Sequence, residues 1–232
     1  MNRPELLIFD LDGTLIDSRR DLVECVNASL VHCGLPHLPA EHIASFIGDG
    51  AAALVERSLA AAGGDPHLLQ DEALRYFLSF YREHLLDHTA PYPGVLAALQ
   101  QIRNLDSPPL LAVLTNKPVN PSHRICDALH LTPLLFANFG GNSFATKKPD
   151  PEGLLALWRN AETILGHMIA PERVVLIGDS EVDVRTARNA GVLAWGCTWG
   201  FAKEKMLAES PDALAHSPAD WLALLQASST AD

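Results

Sequence analysis

The sequence predicts an α/β protein: a doubly wound, mostly parallel sheet with a small helical domain inserted after the first strand. Two observations lead there. Short apolar runs, each about as long as one buried strand, alternate with stretches of helical periodicity, the pattern of right-handed strand–helix–strand crossovers. The alternation is interrupted once, from about Asp17 to Ala90, by sequence that reads as helix almost throughout.

Leu6-Leu7-Ile8-Phe9 is the first apolar run, and it ends in Asp10 and a turn at Asp12-Gly13. Continuous apolar runs of this length suit strands buried on both faces. Inside the insert, Ser18 with Asp21 three residues on has capping-box spacing, and Leu22, Val23, Val26 and Leu30 recur at helical intervals until Gly34 and Pro36. Further helices are predicted over Glu41–Phe46, Ala51–Ala62 and His67–Leu86. Pro91-Tyr92-Pro93-Gly94 marks the return to the sheet. Three more strands follow, Leu110–Leu114, Val174–Ile177 and Val192–Cys197, with helices predicted over Pro93–Arg103, Pro151–Leu165 and Asp183–Asn189. The domain boundaries are therefore 1–16 with 90–232 for the α/β part and 17–89 for the insert.

Composition narrows the class. With 232 residues, 48% of them hydrophobic, the chain can bury a sizeable core. Asp and Glu number 28 against 17 Lys and Arg, giving a net charge of −11, and no basic run is present. Nucleic-acid and membrane-surface partners are not expected of such a surface. Cys25, Cys33, Cys126 and Cys197 show no Cys-x-x-Cys spacing and are expected as buried thiols in a reducing compartment. The amino-terminal sequence has the pattern neither of a signal peptide nor of a spanning helix, so a cytoplasmic location is expected. The oligomeric state is left open, a homo-oligomer included.

In an open α/β sheet, ligands bind outside the carboxyl ends of the strands, so the residues that end the apolar runs are the candidates for chemistry. They are Asp10-Leu11-Asp12-Gly13-Thr14, Thr115-Asn116-Lys117 and Gly178-Asp179-Ser180, with Lys147-Lys148-Pro149 ahead of a helix. Asp10 and Asp12 are two apart at a strand end and leave on the same side. Crowded carboxylates repel. A hard divalent cation bound by some of them would keep its ligands ionised, while an unligated neighbour protonates more easily, which separates a nucleophile from an acid. Magnesium suits that site, taking one or two carboxylates and a phosphate oxygen; zinc would call for histidine or thiolate.

Three other signals have plainer readings. Gly48-x-Gly50-x-x-Ala53 follows no strand and so is not a dinucleotide fingerprint. His84 and His88 have the spacing of metal ligands on one helix face but lack a third partner, and they are read as solvated. Trp195 and Trp199 are read as packing or rim residues.

Taken together and in order, Phe9-Asp10-Leu11-Asp12-Gly13-Thr14-Leu15, Leu114-Thr115-Asn116, Lys148-Pro149 and Gly178-Asp179-Ser180-Glu181-Val182-Asp183 resemble the four motifs of the haloacid dehalogenase superfamily. The resemblance implies a Rossmann-like core, with the insert as the small cap domain. Phe46-Ile47-Gly48-Asp49-Gly50, Pro91-Tyr92-Pro93-Gly94 and Thr115-Asn116-Lys117-Pro118 resemble its phosphoglycolate phosphatase branch. The Gly140-Gly141-Asn142-Ser143 segment departs from that branch in lacking an acidic pair, and Trp158–Ile169 is a few residues longer.

The resemblance implies hydrolysis of a small phosphorylated metabolite, 2-phosphoglycolate foremost, giving glycolate and phosphate through an aspartyl-phosphate on Asp10. Asp12 would serve as acid and base. Magnesium would be held by the Asp10 and Asp179 carboxylates and the Asp12 backbone carbonyl, with Asp183 supporting them close by. Thr115, Asn116 and Lys148 would bind the phosphoryl group, and Gly48, Asp49 and Gly50 in the cap would approach the substrate. The alternatives are a sugar phosphomutase or pyrophosphatase of the same superfamily, and, in another class, a receiver-like or non-catalytic phosphate-binding module.

Overall fold

A computed structural model describes residues 3–227 of the chain. Two compact units emerge, Met1–Ile16 with Pro91–Asp232, and Asp17–Ala90.

The chain enters the first unit through strand β1 (Leu6–Phe9) and leaves it through the two-residue β2 (Ile16–Asp17). The inserted unit holds helices α1 (Arg19–His32), α2 (Ala40–Ala44), α3 (Ala51–Ala61) and α4 (Pro66–His84). The chain returns through β3 (Ala90–Pro91), which pairs with β2. Helix α5 (Val95–Arg103), β4 (Leu110–Leu114), α6 (Val119–Ala128), β5 (Ala137–Phe139) and α7 (Glu152–Leu165) follow. Then come β6 (Val174–Gly178), α8 (Glu181–Ala190), β7 (Leu193–Cys197), α9 (Lys203–Ala208), β8 (Ala213–Ala215) and α10 (Asp220–Ala227).

The large sheet has six strands in the order β5-β4-β1-β6-β7-β8, and the pairings within it are parallel. Strand β1 is central because all four of its residues are apolar and none is exposed. Leu6 and Ile8 face a cluster with Leu154, Leu157, Val184 and Ala187 of α7 and α8. Leu7 and Phe9 necessarily face the other way. There the Trp221 ring of α10 meets Phe9 edge-on, with centroids 5.0 Å apart. From β1 the chain builds outward to β4 and β5 on one side, and then to β6, β7 and β8 on the other. The connections reverse direction at β1, so the carboxyl end of β1 opens into a crevice.

The inserted unit packs α1 on α4 and α3 on α4. Leu22, Val26 and Leu30 of α1 are buried, as are Leu54 and Leu59 of α3 and Phe77 and Tyr81 of α4. Ser18 does not cap α1, contrary to the capping box read from its spacing with Asp21. Asp21 is buried and turned elsewhere: its Oδ2 accepts hydrogen bonds from His88 N, Thr89 N and Thr89 Oγ1 at 3.1, 2.8 and 2.6 Å. The side chain thus ties the start of the insert to its end. His84 and His88 do not share a helix face, because α4 ends at His84. His84 Nδ1 lies 2.7 Å from Asp87 Oδ2, whereas His88 stands beside Glu24. Of the four cysteines, Cys33 is half-buried instead of buried, and none forms a disulfide. Among the described residues, no helix is long and apolar enough to cross a membrane.

Candidate active site

Residue 10 directly continues β1, and its N–H donates to Ile177 O of β6 at 2.8 Å. The chain then turns tightly, with Leu15 N and Ile16 N both donating to Leu11 O. Gly13 adopts φ 87°, a left-handed conformation that glycine takes without penalty. A Cβ at Gly13 would also overlap the Asp179 carboxylate, so the missing side chain opens the space in which the two strand ends meet.

Two lysines divide the acids between them. Lys148 Nζ, buried, donates to Asp10 Oδ1 at 2.8 Å and to Asp183 Oδ1 at 2.6 Å. Lys117 Nζ, also buried, donates to both oxygens of Asp12, at 2.9 and 3.0 Å. Asp183 is held on its other oxygen by Ser180, whose N–H and Oγ donate to Oδ2 at 3.1 and 2.6 Å. Ser180 and Asp183 are N-cap and N3 of α8 in a capping box. The helix cap and the site therefore share one carboxylate. Asp179 Oδ1 accepts from Thr14 Oγ1 at 3.3 Å and its Oδ2 from Phe201 N at 2.6 Å. Asn116 Nδ2 donates to Lys148 O at 3.0 Å, joining the end of β4 to the segment ahead of α7.

Burial drives the electrostatics. It pushes the Asp179 carboxyl up to about 8, helped by the negative charges of Asp10 and Asp183 and opposed by backbone N–H groups of Phe201 and Ala202. Burial also raises Asp10, to about 6; Lys148 pulls against it, and Asp183 and Asp12 add to it. Burial disfavours the charged form of Lys148, but Asp10 and Asp183 outweigh that and hold it above the ordinary ammonium range.

Asp10, Asp179 and Asp183 bring one carboxylate oxygen each within 4.8 Å of one another. Buried like charges at this spacing favour either protonation or a cation among them. The donors are all oxygens, so the residues fit a hard divalent ion such as magnesium.

The sequence-predicted residues of the α/β unit, Asp10, Asp12, Thr115, Asn116, Lys148, Asp179 and Asp183, come together at the carboxyl ends of β1, β4 and β6. Gly48, Asp49 and Gly50 belong to the inserted unit, between α2 and α3. There Asp49 pairs with Arg57 at 2.5 Å, bringing to the loop a cation the sequence reading did not single out. It also assigned nothing to Lys117, Thr14 or Phe201. For Thr14 and Lys117 a signal existed, their place inside the strand-end motifs; Phe201 carried none. The Gly140-Gly141-Asn142-Ser143 segment has a structural explanation. Gly141 N donates to Lys117 O at 2.8 Å, and Asn142 Oδ1 accepts from Val119 N at 2.8 Å at the start of α6. Trp195 is buried in β7, while Trp199 Nε1 donates to Thr14 O at 3.2 Å.

Residues 7–196 match the family model of haloacid dehalogenase-like hydrolases. A protein of Chromobacterium violaceum named phosphoglycolate phosphatase is 39% identical over 204 residues, covering 86% of this chain and 87% of its own length. One of Caulobacter vibrioides with the same name is 36% identical over 212 residues, covering 91% and 86%. Among solved structures, that of a predicted phosphoglycolate phosphatase from Haemophilus somnus superposes with a TM-score of 0.87 at 29% identity, covering 97% of this chain and 99% of the other. Sequence, fold and site geometry thus agree: this chain belongs to the haloacid dehalogenase-like hydrolase family.

Proposed function

We propose that the chain is a magnesium-dependent phosphatase of small phosphorylated acids, with 2-phosphoglycolate as its preferred substrate. The observation that carries this reading is the division of Asp10 and Asp12 between two lysines. Two carboxylates of one turn, each held by its own cation, are equipped for different tasks. The names of the relatives at 36–39% identity support the substrate.

In this mechanism Asp10 Oδ attacks phosphorus in line with the ester oxygen. The P–O bond to the leaving group breaks, and Asp12 supplies the proton that the departing alkoxide needs. Asp12 then takes a proton from water as that water attacks phosphorus, releasing inorganic phosphate and restoring Asp10. Lys148 offsets charge on the transferring group and on Asp10, while Thr115 and Asn116 hold its oxygens. The Asp10 and Asp179 carboxylates and the Asp12 carbonyl would hold magnesium, with Asp183 keeping Lys148 in place. When bound, the ion supplies charge neutralisation for the phosphoryl oxygens. Gly48, Asp49 and Gly50 contribute to the choice of substrate.

The test is phosphate release over a panel of esters with magnesium, for the parent and for Asp10→Asn. The expected result is highest kcat/KM on 2-phosphoglycolate and no turnover in the variant, since an amide cannot form the acyl phosphate. Turnover by Asp10→Asn would overturn the mechanism. A hexose phosphate or nucleotide ranking first would overturn the substrate.

A further inference from the structure

We infer that Lys117 is a positioning residue for the leaving-group step: it fixes the Asp12 carboxylate where its proton is delivered. The inference rests on the proposed phosphatase reading and extends it to a residue outside the nucleophile, the phosphate grip and the metal cluster.

Lys117 is itself held in place. Its N–H donates to Thr115 Oγ1 at 3.2 Å, and its carbonyl accepts from Gly141 N at 2.8 Å. A Cβ at Gly141 would overlap Asn116 O, so this strand-end loop and the 140–142 loop approach as only glycine allows. From that anchored backbone the side chain reaches Asp12, 105 residues away in sequence, and bonds both of its oxygens. Side-chain exposure is 3% for Lys117 and 13% for Asp12, so the pair sits at the edge of the crevice with its cation inside.

The geometry distinguishes positioning from plain neutralisation. One contact would suffice to balance the charge. Two charge-assisted bonds, one to each oxygen, also restrict how the carboxylate can swing away from the ammonium. A general acid works only within hydrogen-bond reach of the oxygen it protonates, and a misplacement of about 1 Å can reduce the rate by about 10²-fold. Lys148 does not substitute, since its bonds go to Asp10 and Asp183.

The experiment compares 2-phosphoglycolate, which leaves as an alkoxide, with 4-nitrophenyl phosphate, which leaves as a stable phenolate. Lys117→Met should lower kcat on 2-phosphoglycolate about 10- to 100-fold more than on the aryl ester, because only the alkoxide depends on a well-placed acid. Lys117→Gln removes the charge but keeps an N–H-donating group on a side chain one atom shorter. It guards against a Met variant that fails to fold and should give an intermediate discrimination. In an Asp12→Asn background, Lys117→Met should add less than about threefold further loss on 2-phosphoglycolate, as expected of a residue acting through Asp12. Equal losses on the two esters, or losses that multiply in the double variant, would overturn the assignment. A parent enzyme that releases phosphate from no ester would instead count against the proposed function.

Discussion

Lys148 Nζ lies 2.8 Å from Asp10 Oδ1 and, by its second bond, joins that nucleophile candidate to the Asp183 carboxylate that closes the cap of α8. One buried cation thereby serves the site and the helix terminus. Lys148→Met would leave two carboxylates facing each other without their shared countercharge, and removing one partner of a buried pair typically costs about 3–5 kcal/mol. The expected outcome in urea denaturation at pH 7.5 is a stability loss of that order together with loss of activity. The stability gap should narrow toward pH 5, where Asp10, raised to about 6 by burial, can protonate. A gap unchanged between the two pH values would mean that the lysine's packing matters more than its charge.

Asp10 and Asp179 take up protons on folding, because their carboxyls are raised from 3.8 to about 6 and about 8. Between pH 4 and 8 the metal-free folded state accordingly binds more protons than the unfolded one, so stability falls as pH rises through that window. The raised Lys148 does not alter this sign, since its contribution is fully present below its ordinary pKa of 10.5. Metal-free protein should thus show a lower Tm at pH 8 than at pH 5.5, and added magnesium should recover more at the higher pH. Magnesium affinity, measured by calorimetry in buffers of different ionisation enthalpy, should rise up to about tenfold per pH unit from pH 6 to 8 with release of about one proton. A metal-free Tm independent of pH would contradict the electrostatic account.

Gly200 stands against Asp179, and a Cβ there would overlap that carboxylate. Its φ is not in the left-handed region, so Gly200→Ala tests displacement of the carboxylate without backbone strain. The variant is expected to need about 10- to 100-fold more magnesium for half-maximal activity, the usual effect of disturbing groups that orient a metal ligand. An unchanged magnesium requirement would show that Asp179 is not the group that sets affinity.

The architecture was legible because β1, β4 and β6 are buried on both faces and therefore spell continuous apolar runs. The strands at the sheet edges were not. Ala137-Asn138-Phe139 and Ala213-Leu214-Ala215 are three residues each and only partly buried, so they lack a run long enough to notice. The carboxylates, Thr115 and Lys148 were legible from their place at strand ends or before a helix. Lys117 sits in the same motif, yet its bond to Asp12 closes over 105 residues and leaves no local periodicity. Asp21 misled for the same reason: its spacing from Ser18 suits a cap, but its partners are His88 and Thr89, brought back by the fold of the whole insert.

The loop before α3 offers the last prediction. Gly48 and Gly50 take φ values of 131° and 87°, conformations that L side chains rarely adopt, and a Cβ at Gly48 would meet nothing within 4 Å. Space therefore does not require glycine at position 48; backbone conformation does. Asp49 between them is engaged with Arg57, whose guanidinium also donates to Phe46 O at 3.4 Å, so the loop is braced on one arginine. If this braced loop selects for a small acidic leaving group, Gly50→Val should distort it, costing about 1–2 kcal/mol for a bulky residue at positive φ. The ratio of kcat/KM for 2-phosphoglycolate to that for a hexose phosphate should fall by about tenfold or more, chiefly through KM. Arg57→Ala, which leaves every glycine in place, should lower the same ratio in the same direction. Should both variants lose activity on the two substrates in equal proportion, the insert loop would have no part in discrimination, and substrate choice would rest with the strand-end residues alone.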